Sequence, residues 1–254
     1  STDVIKANNF RVSVSGSGDI NLVVEASSTE SRVTGSGDLV LRGSTRDHET
    51  SVTGSGDLEA GRFKADNVDP SWSIIDGAMV YTPPAKREKG VNYNIVTKKE
   101  YTNFILTVDW RISEGGNSGL FWGISEDPKF GQPYASAAEI QVLDNDKHPD
   151  GKNGPTRQAG ALYDLIGPPK DVTKPVGEWN TCVISINHKT NKGSATLNGL
   201  VVAEFPLSGP KWDAMIAKSK FNGWDGFAKY KTGRIGFQDH GDVVSFRNVK
   251  IKEL

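Results

Sequence analysis

Phe104-Ile-Leu-Thr-Val-Asp-Trp-Arg-Ile112 alternates with period two. Successive side chains of a strand point to opposite faces, so Leu106, Val108, Trp110 and Ile112 line one face and Asp109 and Arg111 oppose them. The same alternation recurs in Ala138-Glu-Ile-Gln-Val142, where Ile140 and Val142 face one way and Glu139 and Gln141 the other. It recurs again in Cys182-Val-Ile-Ser-Ile186. Ser194–Leu197 and Leu200–Phe205 are joined by Asn198-Gly199, a preferred two-residue hairpin turn. Gly233–His240 and Val243–Ile251 read as two further strands. On the first of these, Ile235, Phe237 and Asp239 share one face, and Gly236, Gln238 and His240 the other. One helical stretch is expected over Trp212–Lys220. Many short strands separated by Gly, Pro and Asn turns make an all-β sandwich or jelly roll.

Upstream of these strands lies a repeat. Gly16-Ser-Gly-Asp19 returns as Gly35-Ser-Gly-Asp38 and Gly54-Ser-Gly-Asp57, a period of 19 residues. Gly gives the backbone freedom for a sharp corner, and Asp bonds nearby backbone N–H groups. The alternating residues between corners predict short strands, stacked as rungs of a β-solenoid or paired as a meander of hairpins. No dinucleotide fingerprint or phosphate-loop pattern is completed. Asp19, Asp38 and Asp57 are calcium candidates, with structural turns the simpler reading. This segment resembles a fragment of the bacterial head-GIN adhesin-like domain, over about residues 4–64. The polar stretch Asp66-Asn-Val-Asp-Pro70 marks a boundary, which gives a repeat segment over 1–65 and a main domain over 66–254.

The bulk numbers exclude some partners. The chain has 30 basic and 31 acidic side chains in 254 residues, so no electrostatic reason exists to expect nucleic acid or an anionic membrane. No run approaches the roughly 18 apolar residues of a membrane span. Cys182 is the single cysteine and cannot form an internal disulfide; its place in an alternating run makes it a strand residue rather than a nucleophile. The chain starts at Ser1 and contains no signal peptide, which is compatible with a leader removed earlier.

Candidate chemistry sits on the polar faces of the strands. A solvated outer face ordinarily carries a scatter of Lys, Glu and Thr. Gln, His, Glu and Arg stand there instead, which points to a functional cleft. Trp72, Tyr134, Tyr163, Trp224 and Tyr230 lie in or near loops, where aromatic faces can stack on the apolar faces of sugar rings. The loop Asp144–Gly151 fails as an EF-hand because Arg157 stands where a bidentate Glu is needed. Asp144, Asp146 and His148 are left as a candidate divalent-metal set, against a solvated turn. No zincin motif or serine-hydrolase elbow is present.

An ordered set of strings carries a family resemblance: Thr97-Lys-Lys-Glu-Tyr101, Gly115-Gly-Asn-Ser-Gly119, Glu139-Ile-Gln-Val-Leu-Asp-Asn145, His148-Pro-Asp150, Arg157-Gln-Ala-Gly-Ala-Leu-Tyr-Asp164, Pro175-Val-Gly-Glu-Trp-Asn180, Gly236-Phe-Gln-Asp-His-Gly241 and Phe246-Arg-Asn-Val-Lys-Ile251. From about Trp72 to Leu254 the chain resembles the 3-keto-disaccharide hydrolase family. The resemblance implies a concanavalin-like jelly roll with its site on the concave face, preceded here by the β-solenoid-like repeat. Family members usually open with a Leu-Phe-Asp-Gly strand; none is present, which leaves Leu58–Phe63, or an open edge, in its place. It implies cleavage of glycosides oxidised at C3, by hydrolysis or by β-elimination and hydration, and periplasmic or cell-surface residence. On this reading His240 is the base and Glu139 its acid/base partner. Arg111, Asn117, Gln141 and Gln238 bind sugar hydroxyls or the enolate oxygen, Tyr163 is a wall or proton donor, and His148 is a loop contributor. No cofactor is certain and a divalent metal is left open; the partner is an oligosaccharide or glycoside. The alternatives are a non-catalytic carbohydrate-binding module and a surface-adhesion module. The His240/Glu139 pair favours the enzyme, since a lectin needs no proton shuttle.

Overall fold

A computed structural model of the chain describes residues 4–17, 20–35, 39–54, 58–60, 69–87, 91 and 93–254. The chain divides into two compact units, Ser1–Ala78 and Met79–Leu254. The boundary expected at 65/66 lies outside the described residues, as do Asp19, Asp38 and Asp57.

In the first unit, β1 (Val4–Gly16), β2 (Ile20–Gly35), β3 (Leu39–Gly54) and β4 (Leu58–Ala60) pair side by side in that order. All three pairings are parallel, which rules out a meander of hairpins. Val4 pairs with Val23 and Val23 with Arg42, so the register equals the sequence period. Side chains one period apart therefore meet: Ser28 Oγ donates to Asn9 Oδ1, Arg11 Nε to Glu30 Oε2, and Lys6 pairs with Glu25. Val14, Val24 and Leu39 form a small core against Phe10, Val12, Ile20 and Leu22. Leu58–Ala60 continues this ladder rather than opening the sandwich. Farther on, β5 (Trp72–Ile75) ends at the turn Asp76-Gly77, both at positive φ.

The second unit is the sandwich. Its strands are β6 (Ala78–Tyr81), β7 (Ile95–Tyr101), β8 (Phe104–Ile112), β9 (Asn117–Ile124), β10 (Ala138–Leu143), β11 (Asn180–Asn187), β12 (Lys192–Leu197), β13 (Leu200–Phe205), β14 (Gly233–Phe237) and β15 (Val244–Glu253). One sheet runs β13-β12-β11-β8-β15-β6 and the other β10-β9-β14-β7, all antiparallel. Leu106, Val108, Trp110 and Ile112 of β8 face the interior, as the alternation required. Leu120, Ile140, Val142 and Phe237 of the other sheet are buried likewise. Phe237 packs edge-on against Phe246 of β15 at 4.9 Å, and Trp122 stacks on Phe205 of β13 at 5.9 Å. Each such side chain contributes about 1.5–3 kcal/mol by leaving water. Cys182 is fully buried in β11, and burial pushes its thiol up to about 12, so it is inert. The helix α1 (Pro210–Ala217) begins two residues ahead of the expected stretch, on a Pro suited to the first helical turn.

The β12–β13 turn is built as read. Asn198 and Gly199 both take positive φ, 48° and 84°. Asn198 also donates to Asn180 Oδ1 and Val172 O and accepts from Thr181 N, so this turn anchors β11 as well. Nothing stands within 4 Å of a Cβ built on Gly199. Gly199→Ala is therefore a test of backbone strain alone, expected to destabilise by about 1–2 kcal/mol in urea unfolding with activity per folded molecule unchanged.

Candidate active site

β9, β10 and β14 alternate, and their registers decide which side chains gather. Gln141 pairs with Gly119, and Gln238 N donates to Gly119 O from the other side. Gln141, Gly119 and Gln238 thus form a row across three strands on the face turned away from the sandwich interior. Asn117 lies one pleat repeat along β9, about 7 Å away, and His240 comes next to it on the antiparallel run after β14. Glu139 pairs with Phe121 and leans back across the row. A Cβ on Gly119 would lie 1.9 Å from Glu139 Oε1, so the bare backbone of Gly119 is the floor on which the carboxyl rests.

The segment after the loop 144–158 closes one side. Tyr163 N donates to Glu139 O, Gly160 N to Gln141 O, and Gln141 N to Ala161 O, so residues 160–163 run along β10 as an added edge. Tyr163 thereby stands beside Glu139. Its ring is flanked by Lys220 Nζ at 4.2 Å and the Arg157 guanidinium at 4.8 Å. The Tyr163 hydroxyl donates to Asp150 Oδ2 at 2.7 Å and accepts from Arg157 at 2.8 Å. Burial and the Asp150 hydrogen bond push its ionisation up. Tyr163 is therefore a wall, and its proton is committed to Asp150 rather than available to a substrate.

The electrostatics separate an acid from a base. Glu139 is buried, and no hydrogen bond among the described residues holds its carboxylate. Desolvation raises it from an ordinary 4.5 to about 8, against the pull of Lys220 and Arg157 and with the help of Asp150. It is protonated at neutral pH. His240 is exposed, with the His148 ring edge-on to it at 6.1 Å. Desolvation moves its imidazole down from 6.5, while Asp242 opposes the shift, and it is neutral at pH 7. Lys220 is lowered by burial, with Glu139 opposing.

Three amides on this face are incompletely bonded. Gln141 Oε1 and Gln238 Oε1 are buried with no partner. The Asn117 amide has one end 3.5 Å from His148 Nε2 and the other, Oδ1, unpartnered. An unmet buried amide costs about 1–3 kcal/mol. The three open atoms are amide oxygens, able to accept from the hydroxyls of a ligand on this surface.

The loop histidine joins this group, and the loop carboxylates do not. Asp144 is used up as a turn cap, accepting from Gly115 N, Asp146 N and Lys147 N. Asp144, Asp146 and His148, left open against a solvated turn, are not a group of metal-like spacing among the described residues. The described residues with metal-like spacing are His148, His240 and Asp242, whose ligand atoms lie within 4.8 Å of one another. His148 Nδ1 accepts from Asp150 N, and its Nε2 faces the Asn117 amide.

Arg111 is a second correction. β8 belongs to the other sheet, and the Arg111 guanidinium lies over Trp179 at 4.7 Å on its outer side. Asn117, Gln141, Gln238, His148, His240, Glu139 and Tyr163 are brought together; Arg111 is not. Sequence reasoning missed Lys220, which nothing in Lys218-Ser-Lys-Phe221 distinguishes from a surface lysine. It also missed Arg87, whose bidentate 2.6 Å pair with buried Asp239 braces the turn that carries His240.

Over residues 22–252 the sequence matches the family described as the 3-keto-alpha-glucoside-1,2-lyase-like domain. A curated protein of Bacteroides thetaiotaomicron named 3-keto-disaccharide hydrolase is 34% identical over 215 residues, which cover 74% of this chain and 72% of that protein. A solved structure of a candidate glycosyl hydrolase from Parabacteroides distasonis aligns with TM-score 0.66 and 30% identity over 76% of this chain and 88% of its own. A second from that bacterium aligns with TM-score 0.57 and 29% identity over 74% of this chain and 93% of its own.

Two substitutions probe the buried acid. A carboxyl raised in the folded state binds its proton more tightly than in the unfolded chain, so it favours folding at low pH, and stability falls as pH rises from about 4.5 to about 8. Glu139→Gln is expected to remove that fall and to raise the unfolding midpoint at pH 8 above wild type. Gly119→Ala sets a Cβ 1.9, 2.7 and 2.9 Å from Glu139 Oε1, Cδ and Cγ, so the whole side chain must shift. The variant is expected to lose about 1–3 kcal/mol of stability in urea unfolding, and its turnover per folded molecule to drop about 100-fold.

Proposed function

The chain belongs to the 3-keto-alpha-glucoside-1,2-lyase-like family, a family of glycoside-cleaving enzymes, and on that premise we propose that it cleaves glycosides whose sugar ring is already oxidised at C3. The observation that carries this reading is the opposed pair: a carboxyl kept protonated and an imidazole kept neutral on one face.

A ketone at C3 acidifies the C2–H bond. His240 takes that proton, and the electron pair is held as an enolate on the C3 oxygen. The Lys220 ammonium is the group able to stabilise it, and the free amide oxygens of Asn117, Gln141 and Gln238 are able to accept from the ring hydroxyls. The enolate expels the C1 substituent, and Glu139 delivers its proton to the departing oxygen. The ring now carries a C1–C2 double bond conjugated to the ketone. Water adds at C1, giving its proton to the Glu139 carboxylate, and protonated His240 returns a proton to C2. The sum is hydrolysis, and both groups end as they began.

A two-carboxylate glycosidase mechanism fits less well. It needs a second free carboxyl opposite the first. Asp150, the carboxylate nearest in charge to Glu139, is committed to Tyr163, Asn153 and Arg157, which hold it low despite its burial.

The assay is release of free sugar from 3-keto-trehalose or a 3-keto-glucoside. The rate is expected to rise with pH through the lowered His240 ionisation, reach a plateau, and fall through about 8 as Glu139 ionises. His240→Ala and Glu139→Gln should each lower turnover by at least roughly 100-fold, and Glu139→Gln should lose the alkaline limb. Wild-type rates in both variants would remove the assignment.

A further inference from the structure

We propose that Tyr134 and Trp224 form a second carbohydrate subsite, which holds the sugar ring on the leaving side of the scissile bond. This rests on the glycoside-cleaving reading of the Glu139 face and adds to it where the rest of the substrate lies.

Tyr134 and Trp224 are 43% and 37% exposed, the aromatic members of the described chain's exposed large apolar side chains. They come from separate elements. Tyr134 belongs to the short 3-10 turn Pro133–Ala135 just ahead of β10, and Trp224 to the loop between α1 and β14. Their ring centroids are 6.3 Å apart with planes at 52°, the geometry of an open notch rather than a closed stack. Ring contacts continue inward from this notch. Trp224 meets Phe221 edge-on at 5.3 Å, and Phe221 meets Tyr163 at 6.4 Å. Tyr163 N donates to Glu139 O. One aromatic wall thus runs from the buried acid to the exposed pair.

The pair is held, not loose. Phe221 is locked in a parallel stack on Phe227 at 3.7 Å. Ala228 N donates to Ser136 O at 2.8 Å, tying the Trp224 loop to the Tyr134 turn, and Ser136 Oγ accepts from Ser125 N. Ala228 takes φ 53°, a left-handed conformation that costs a non-glycine residue about 1–2 kcal/mol. Two fixed aromatic faces thus stand side by side and partly open to solvent. The flanking Asn222, Asp225 and Lys229 are exposed and polar, which suits a ring with an apolar C–H face and a hydroxyl edge better than a lipid or an apolar peptide.

The test compares two substrates with equal reacting rings, methyl 3-keto-α-glucoside and 3-keto-trehalose. Tyr134→Ala and Trp224→Ala are each expected to raise KM for the disaccharide about 5- to 10-fold with kcat unchanged, and to leave the methyl glycoside unaffected. Equal changes on both substrates, or none on either, overturn the subsite. If Trp224→Ala fails to fold, Tyr134→Ala carries the comparison. Cleavage of neither substrate by the wild type would remove the catalytic reading without touching the subsite. That case is judged by tryptophan fluorescence on titration with unoxidised trehalose, with Trp224→Phe as control. A saturable change lost in the control and weakened in Tyr134→Ala supports the subsite; no change overturns it.

Discussion

Burial of the Glu139 carboxyl on the bare backbone of Gly119 is the constraint around which the site is arranged. A buried carboxyl with no donor is kept neutral, because ionising it would cost more than any neighbour returns. The Arg157 charge pulls the other way but is paired with Asp164 and Asp150, and the Lys220 ammonium lies over the Tyr163 ring. Filling the space above Gly119 would move the acid; freeing Lys220 from the aromatic wall would ionise it. The chemistry of the face follows from where this one proton is held.

The surrounding polar groups divide into those committed to the protein and those left for a ligand. Asp239 is held by Arg87 and Gly241 N, Asp144 by three backbone N–H groups, and Tyr163 by Asp150 and Arg157. These fix the turn before His240, the loop before His148 and the wall beside Glu139. The Gln141, Gln238 and Asn117 amides make no such closed set. Each open amide lowers stability, and a hydroxyl placed against it would restore what the fold gives up.

The repeat unit shows a different economy. Its residues carry one instruction, a fixed period, and parallel pairing at that same offset satisfies it along every strand. Like positions then stack, so Lys6–Glu25 and Arg11–Glu30 form without any long-range specification.

The amino-acid sequence by itself determined the all-β class, the bounds of β8, the Asn198-Gly199 hairpin, and the faces of β10 and β14, because alternation and turn chemistry are local. Strand faces read one at a time also grouped Glu139 with Gln141 and Gln238 with His240, whereas Asn117 entered through the family resemblance. It did not reveal β9, the central strand of the site. Asn117–Ile124 is buried on both faces, and burial on both sides erases the period-two signal. Tertiary structure alone decided that β8 belongs to the other sheet, which takes Arg111 away, and that the loop after α1 delivers Lys220 to Tyr163. Both are matters of which strand or loop lies beside which, at separations where no residue pattern carries information. The ionisation of Glu139 was decided at the same level, because a carboxyl's proton depends on what surrounds it and not on its neighbours in the chain.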